Sequence, residues 1–199
     1  RFNHEAIVVD PNTGIIYQSE DRSDSAFFRF IPHQRGRLHL GGQLQALVFK
    51  DQPCMDTRNW EGSPTIPIGA KFEVEWIDVE DIESPKDDMR YQVQAKGAAI
   101  FARGEGLCWG HDSIYFGCTT GGKKLHGQIW RYQPIVNNSQ ALTNSRGYLQ
   151  LFIQPDDPTT LDMADNLTVS PNGDLYVCED GAGEQFIVGI TPTGASYKF

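Results

Sequence analysis

Apolar and polar residues alternate in short runs along most of this chain, and turn residues separate the runs. Lys71-Phe-Glu-Val-Glu-Trp76 alternates with period two, the pattern of a half-buried strand. Other runs are rich in Ile, Val, Leu, Tyr and Phe, which suit a pleated surface. Pro11-Asn-Thr-Gly14 and Pro171-Asn-Gly173 are turn chemistry between such runs, because proline presets φ and glycine accepts positive φ.

Three stretches repeat one pattern. They run from Glu5 through Tyr17 to Asp21, from Glu105 through Tyr115 to Cys118, and from Asn166 through Tyr176 to Asp180. Glu105 and Asn166 each precede their tyrosine by ten residues, and Glu5 precedes its own by twelve. Three residues after each tyrosine comes Glu20, Cys118 or Glu179. Each copy reads as two strands about a turn. A third strand follows at Phe28–Pro32, Trp130–Pro134 and Val188–Pro192, and a fourth at Leu44–Phe49, Tyr148–Ile153 and Ala195–Phe199. Four strands per repeat, tens of residues apart, predict the blades of a β-propeller, with Glu5, Glu105 and Asn166 at the central channel.

The segment between the first two copies is irregular. It holds the Lys71–Trp76 strand and then Ser84-Pro-Lys-Asp-Asp88, which predicts a helix start with a serine cap and proline at the first helical position. Met89, Val93, Gly97 and Ile100 would form its inward stripe. The fold class is therefore all-β: three four-stranded blades plus an irregular blade with a short helical insertion, forming a partial ring. Propellers close with about four to eight blades. The chain (residues 1–199, one propeller segment) is expected to be an arc completed by missing sequence or a companion chain; a compact four-bladed ring is the alternative.

Composition narrows the function. A net charge of −9 argues against general nucleic-acid binding, which needs a basic surface. No run is long or basic enough to predict a membrane contact. The four cysteines contain no C-x-x-C pair, which excludes a zinc ribbon or thioredoxin-like motif. Cys118 holds the repeat position of Glu20 and Glu179, where it either packs or touches a metal. Asn137-Asn-Ser and Asn166-Leu-Thr match the glycosylation pattern, the second by chance if it lies in the channel.

Glu5, Glu20, Asp21, Glu105, Asn166, Glu179 and Asp180 are hard oxygen donors, suited to calcium, magnesium, manganese or ferric iron. Asp21 and Asp180 are discounted, because adjacent residues at a strand end point in opposite directions. Arg103 lies two residues before Glu105 and shares its face, so a guanidinium would stand beside a metal ligand. Gly104 and Gly106 would leave room for a ligand. A cation beside metal ions matches a tetrahedral oxyanion such as phosphate; a simple Arg–Glu ion pair is the plainer alternative. His4, next to Glu5, could be a ligand, an acid or a supporting group, and a purely structural role fits its spacing equally well.

Several longer motifs carry a resemblance. Arg1-Phe-Asn-His-Glu-Ala-Ile-Val-Val-Asp, Ser19-Glu-Asp-Arg-Ser-Asp, Phe101-Ala-Arg-Gly-Glu-Gly-Leu-Cys-Trp-Gly, Tyr115-Phe-Gly-Cys-Thr-Thr-Gly-Gly and Ala164-Asp-Asn-Leu-Thr-Val-Ser-Pro resemble the PhoX family of bacterial alkaline phosphatases over almost the whole chain. The resemblance implies a six-bladed, monomeric phosphomonoesterase, exported by the twin-arginine route to the periplasm or beyond, with Ca2+ and Fe3+ in its channel and phosphate esters as substrates. It implies that Arg103 contacts substrate phosphate and that Glu105 and Glu5 serve the metals; Glu20, Asn166 and Glu179 join the metal set on repeat position alone. The family's N-terminal part and later blades have no counterpart in these residues. Two other readings stand beside it: a calcium-dependent propeller lactonase, and a non-catalytic propeller stabilised by metal that binds a partner.

Overall fold

A computed structural model of the protein describes residues 2–63, 65–135, 142 and 145–199. The Asn137 glycosylation pattern lies outside the described residues.

The first blade is an antiparallel meander of β1 (His4–Val9), β2 (Ile16–Glu20), β3 (Phe28–Pro32) and β4 (Gly42–Phe49). The irregular segment contributes one strand, β5 (Lys71–Asp78), and a short helix, α1 (Met89–Gln94). The second blade is β6 (Gly104–Gly110), β7 (Ser113–Cys118), β8 (Gln128–Pro134) and β9 (Gly147–Ile153). The third is β10 (Ala164–Val169), β11 (Leu175–Glu179), β12 (Ile187–Ile190) and β13 (Ser196–Lys198). β5 pairs with β4 on one side and β9 on the other, so the first two blades join at their outer strands into one nine-stranded sheet. The third blade is a separate four-stranded sheet.

Alternation decides what each strand buries. Between the first two blades lies an aromatic core: Tyr17 and Phe27 from one, Phe116, Trp130 and Tyr132 from the other, and Trp76 from β5. Phe27 stacks on Phe116 with ring centroids 4.2 Å apart, and Trp76 meets Tyr132 edge to face at 5.4 Å. A second core fills the space between blades two and three, with Tyr115 and Ile129 against Leu167, Val177, Val188 and Ile190. β7 is buried along its whole length because it has a blade on each side. That explains its nearly unbroken apolar run, Ile114-Tyr-Phe-Gly-Cys118.

The helix starts later than the sequence predicts. Ser84 and Asp87 take positive φ (32° and 55°), which no helix tolerates, so α1 begins at Met89. Ser84 Oγ instead accepts a hydrogen bond from the Asp88 N–H at 3.1 Å. Met89 and Val93 are the buried stripe, and they pack on Phe28 and Ala46 on the far side of blade one. Gly97, at φ 105°, follows the helix rather than extending the stripe. Ion pairs fasten this insertion to the β2–β3 loop: Arg22 to Asp87 at 2.8 Å, and the buried Arg90 to Asp24 at 2.9 Å.

The ends of the arc are open. Among the described residues, β1 pairs only with β2, and β13 only with β12. The first and last strands do not close a four-bladed ring. Ile7 and Val9 are exposed on β1, as are Ile187, Tyr197 and Phe199 on or beside the third sheet.

Candidate active site at the inner rim

The inner strands run side by side, with β6 between β1 and β10. All three start alike. His4 pairs with Glu20, Gly104 with Cys118 and Ala164 with Glu179, and in each hairpin a bulge precedes the regular ladder at Ile7, Leu107 or Leu167. A bulge bends its strand and re-aims nearby side chains. This register makes Glu5, Glu105 and Asp165 equivalent. The sequence spacing aligned Asn166 instead, by counting back from the tyrosine. The count slips because residues 110–113 connect Trp109 to Ile114, whereas residues 170–174, one more, connect Val169 to Leu175.

The residues just before the inner strands also correspond. Asp21 N–H donates to Asn3 O at 2.8 Å, Thr119 N–H to Arg103 O at 3.0 Å and Asp180 N–H to Met163 O at 3.0 Å. Arg103 and Met163 both take left-handed backbone, φ 55° and 53°. Non-glycine residues adopt this only where surrounding structure enforces it. The two glycines of Arg103-Gly-Glu-Gly106 serve neighbouring blades. A Cβ on Gly104 would stand 3.2 Å from Glu20 O, and one on Gly106 2.6 Å from Asp165 O. The room expected for a ligand is taken by backbone, which brings the three inner strands together. Ser19 Oγ adds a 2.6 Å hydrogen bond to Glu105 O across the first junction.

Arg103 stands at the middle of the resulting acidic cluster. Its Nε donates to Asp21 Oδ1 at 2.8 Å, and its Nη2 donates to Asp21 Oδ2 at 3.3 Å and to Glu105 Oε1 at 2.9 Å. Asp180 is near enough to add to the field on the guanidinium. Glu105 is pushed up to about 7, chiefly by burial, then by Asp21 against the opposing pull of Arg103, with Asp165 and Glu5 adding to the rise. Burial raises Asp165 as well, helped by Asp180 and Asp21. One guanidinium thus faces four carboxylates, Asp21, Glu105, Asp165 and Asp180, while Glu5 acts on Glu105.

The other residues singled out in the sequence stand differently. Glu20 Oε2 accepts from the Ala26 N–H at 3.0 Å, and Glu179 accepts from the N–H groups of Asp162 and Phe186 at 3.0 and 2.9 Å. Both side chains are buried and clamp loops at the rim end of their blades. Asn166 is exposed on the open face of blade three, beside Thr168, Cys178 and Ile187. Cys118 is fully buried, and burial pushes its thiol far up. His4 is exposed and meets the Phe2 ring edge to face. Asp21, Asp165 and Asp180 are the acids around Arg103 that spacing discounted or passed over. The opposed directions of Glu20 and Asp21 are real, but it is the aspartate that turns to Arg103. The pairing of strand starts, had it been readable, would have found Asp165.

The cluster suits a hard cation in chemistry: all its donors are oxygens, and burial, with neighbouring carboxylates adding to it, raises Glu105 and Asp165, a penalty that a cation relieves. Among the described residues no three His, Cys, Asp or Glu side chains converge on one point. The carboxylates are arrayed around Arg103 instead.

A family model, alkaline phosphatase PhoX, matches residues 1–199. No match was found among curated proteins. Among solved structures, Pseudomonas fluorescens PhoX in complex with vanadate, a transition state analogue, superposes with a TM-score of 0.71 and 17% identity, over 100% of this chain and 44% of that one. A luciferin-regenerating enzyme aligns over 100% of this chain and 62% of that one, at 13% identity and a TM-score of 0.37, too distant to bear on the fold. The chain therefore spans 44% of the length of the PhoX structure it matches, and the likeness agrees with an arc of a β-propeller. With the family model covering every residue, the chain belongs to the PhoX family of alkaline phosphatases.

Proposed function

We propose that this chain forms part of a metal-dependent phosphomonoesterase and supplies the phosphate-binding arginine and several carboxylates of its centre. The observation that carries the reading is Arg103. Its Nε and Nη2 hydrogens are engaged, while its Nη1 donates to nothing among the described residues. The side chain is 34% exposed. A phosphate oxygen is a natural acceptor for the two remaining N–H groups. That free edge favours phosphate over a lactone, whose hydrolysis needs no guanidinium.

Glu5, Glu105 and Asp165, equivalent in strand register, would hold the cations, which the family resemblance puts as Ca2+ and Fe3+. Bound cations would neutralise phosphoryl charge as Lewis acids. Arg103 would orient the ester and offset charge on its equatorial oxygens. Glu105 would hold the second Nη2 hydrogen and so keep the guanidinium plane fixed. Substrates would be phosphate esters, and the setting periplasmic or extracellular. The apolar ends of the arc would be covered by further blades, from more sequence or a companion chain.

The test is hydrolysis of a chromogenic phosphate ester by the longest natural chain that carries these residues, with and without chelator. Activity is expected to fall on chelation and to drop by about 100- to 1000-fold in Arg103→Ala, the loss typical of a missing oxyanion donor. Turnover indifferent to both would overturn the proposal.

A further inference from the structure

We propose that Asp21 is the positioning residue of this site: it grips one edge of Arg103 and thereby presents the Nη1 edge to the phosphate. The inference rests on the phosphomonoesterase reading and adds a residue to it.

A guanidinium has five N–H donors in a rigid plane. Asp21 takes the Nε hydrogen and one on Nη2, and Glu105 takes the other on Nη2. The two left over are both on Nη1. With two carboxylates on adjacent edges, the plane has one orientation. Without Asp21, a long side chain held only by Glu105 would sample several.

Asp21 is itself well fixed. Its N–H donates to Asn3 O at 2.8 Å, and its carbonyl accepts from Asn3 Nδ2 at 3.0 Å. The loop that carries it is held by the helical insertion, through Arg22–Asp87, Arg90–Asp24 and a 2.7 Å hydrogen bond from Gln94 Nε2 to Asp24 O. The insertion thus supports the loop that aims the arginine, although it lies on the far side of blade one.

Charge alone would act in the opposite direction. Asp21 is an anion beside an anion site. If its role were only electrostatic, Asp21→Asn would tighten phosphate binding. If it positions Arg103, Asp21→Asn weakens binding, by about tenfold to a hundredfold for a misplaced contact group.

The experiment uses the longest natural chain that carries residues 1–199. Orthovanadate binding is measured by calorimetry, and kcat and KM with a chromogenic phosphate ester, for wild type, Asp21→Asn, Asp21→Glu, Arg103→Ala and Asp21→Asn/Arg103→Ala. We expect Asp21→Asn to raise Kd and KM more than it lowers kcat, Asp21→Glu to restore part of the affinity, and Asp21→Asn to have no further effect once Arg103 is gone. Equal weakening in both backgrounds, unchanged affinity or tighter binding would overturn the role of Asp21 while wild-type turnover leaves the phosphatase reading intact. A wild type that neither binds vanadate nor turns over ester would overturn both.

Discussion

Glu20 offers a test of the electrostatics at the rim. Its side chain is 0% exposed. Oε2 accepts from the Ala26 N–H, but Oε1 is buried with no hydrogen-bond partner, and its nearest cation, Arg90 Nη1, is 3.7 Å away. Burial therefore dominates, and it raises the carboxyl from 4.5 to about 7, against the pull of the Ala26 hydrogen bond and Arg90. The sign follows from the raised value. The unfolded chain releases this proton near pH 4.5 and the folded chain near 7. The stability linked to it is whole below pH 4.5 and is lost as pH rises to 7. At about 1.36 kcal/mol per unit, the loss amounts to roughly 3 kcal/mol. Glu20→Gln removes this dependence and keeps an oxygen for the Ala26 N–H. Arg90 loses one neighbour but retains Asp24 at 2.9 Å. The substitution should stabilise the protein at pH 8 by about 1–3 kcal/mol, and the gain should vanish near pH 4.5. Urea unfolding across this range, in chelator-treated protein, measures it. Glu105, raised for a related reason, adds its own slope to wild type and variant alike, so their difference isolates Glu20. A difference that stays constant between pH 4.5 and 8 would refute the reasoning.

Phe27→Ala should cost about 3–5 kcal/mol in denaturant unfolding, because it empties the stack on Phe116 at the centre of the larger core. Gly106→Ala would drive a Cβ to 2.6 Å from Asp165 O and 2.7 Å from Asn166 Cα, and we expect a loss of about 1–3 kcal/mol and a looser third blade, read by limited proteolysis. A thiol reagent should label Cys54 and Cys178, both exposed, in the native protein and reach Cys108 and Cys118 only after denaturation. Burial raises both inner thiols, Cys108 to about 12, so they stay protonated as well as covered.

Strand positions were legible because apolar alternation and turn residues act locally: Phe28–Pro32 matches β3 at both ends. The start of α1 was not, since nothing in Ser84-Pro-Lys-Asp-Asp88 announces the left-handed residues that delay it. Arg103, Glu105 and Glu5 could be found because each lies at or just before the start of an inner strand. Asp165 was hidden by a hairpin one residue longer than its counterpart. The roles of Glu20 and Asp21 depend on which way a strand end faces, a property of the neighbouring blade. The glycines beside Glu105 read as space for a ligand; only the assembled arc shows that adjoining backbone uses it.

The β5 strand has a mechanical consequence. It makes blades one and two a single hydrogen-bonded body, whereas blade three adheres to blade two through side chains and loop contacts. Breaking away the third blade ruptures no sheet ladder. Asp21, Arg103 and Glu105 all belong to the first body, while Asp165 and Asp180 ride on the third blade. The rim is therefore split between a stiff half that holds the guanidinium and a detachable half that holds acid. A transient opening would separate Asp165 and Asp180 from Arg103 without disturbing the Asp21 grip, and amide hydrogens of β10–β13 would exchange ahead of those in the nine-stranded sheet.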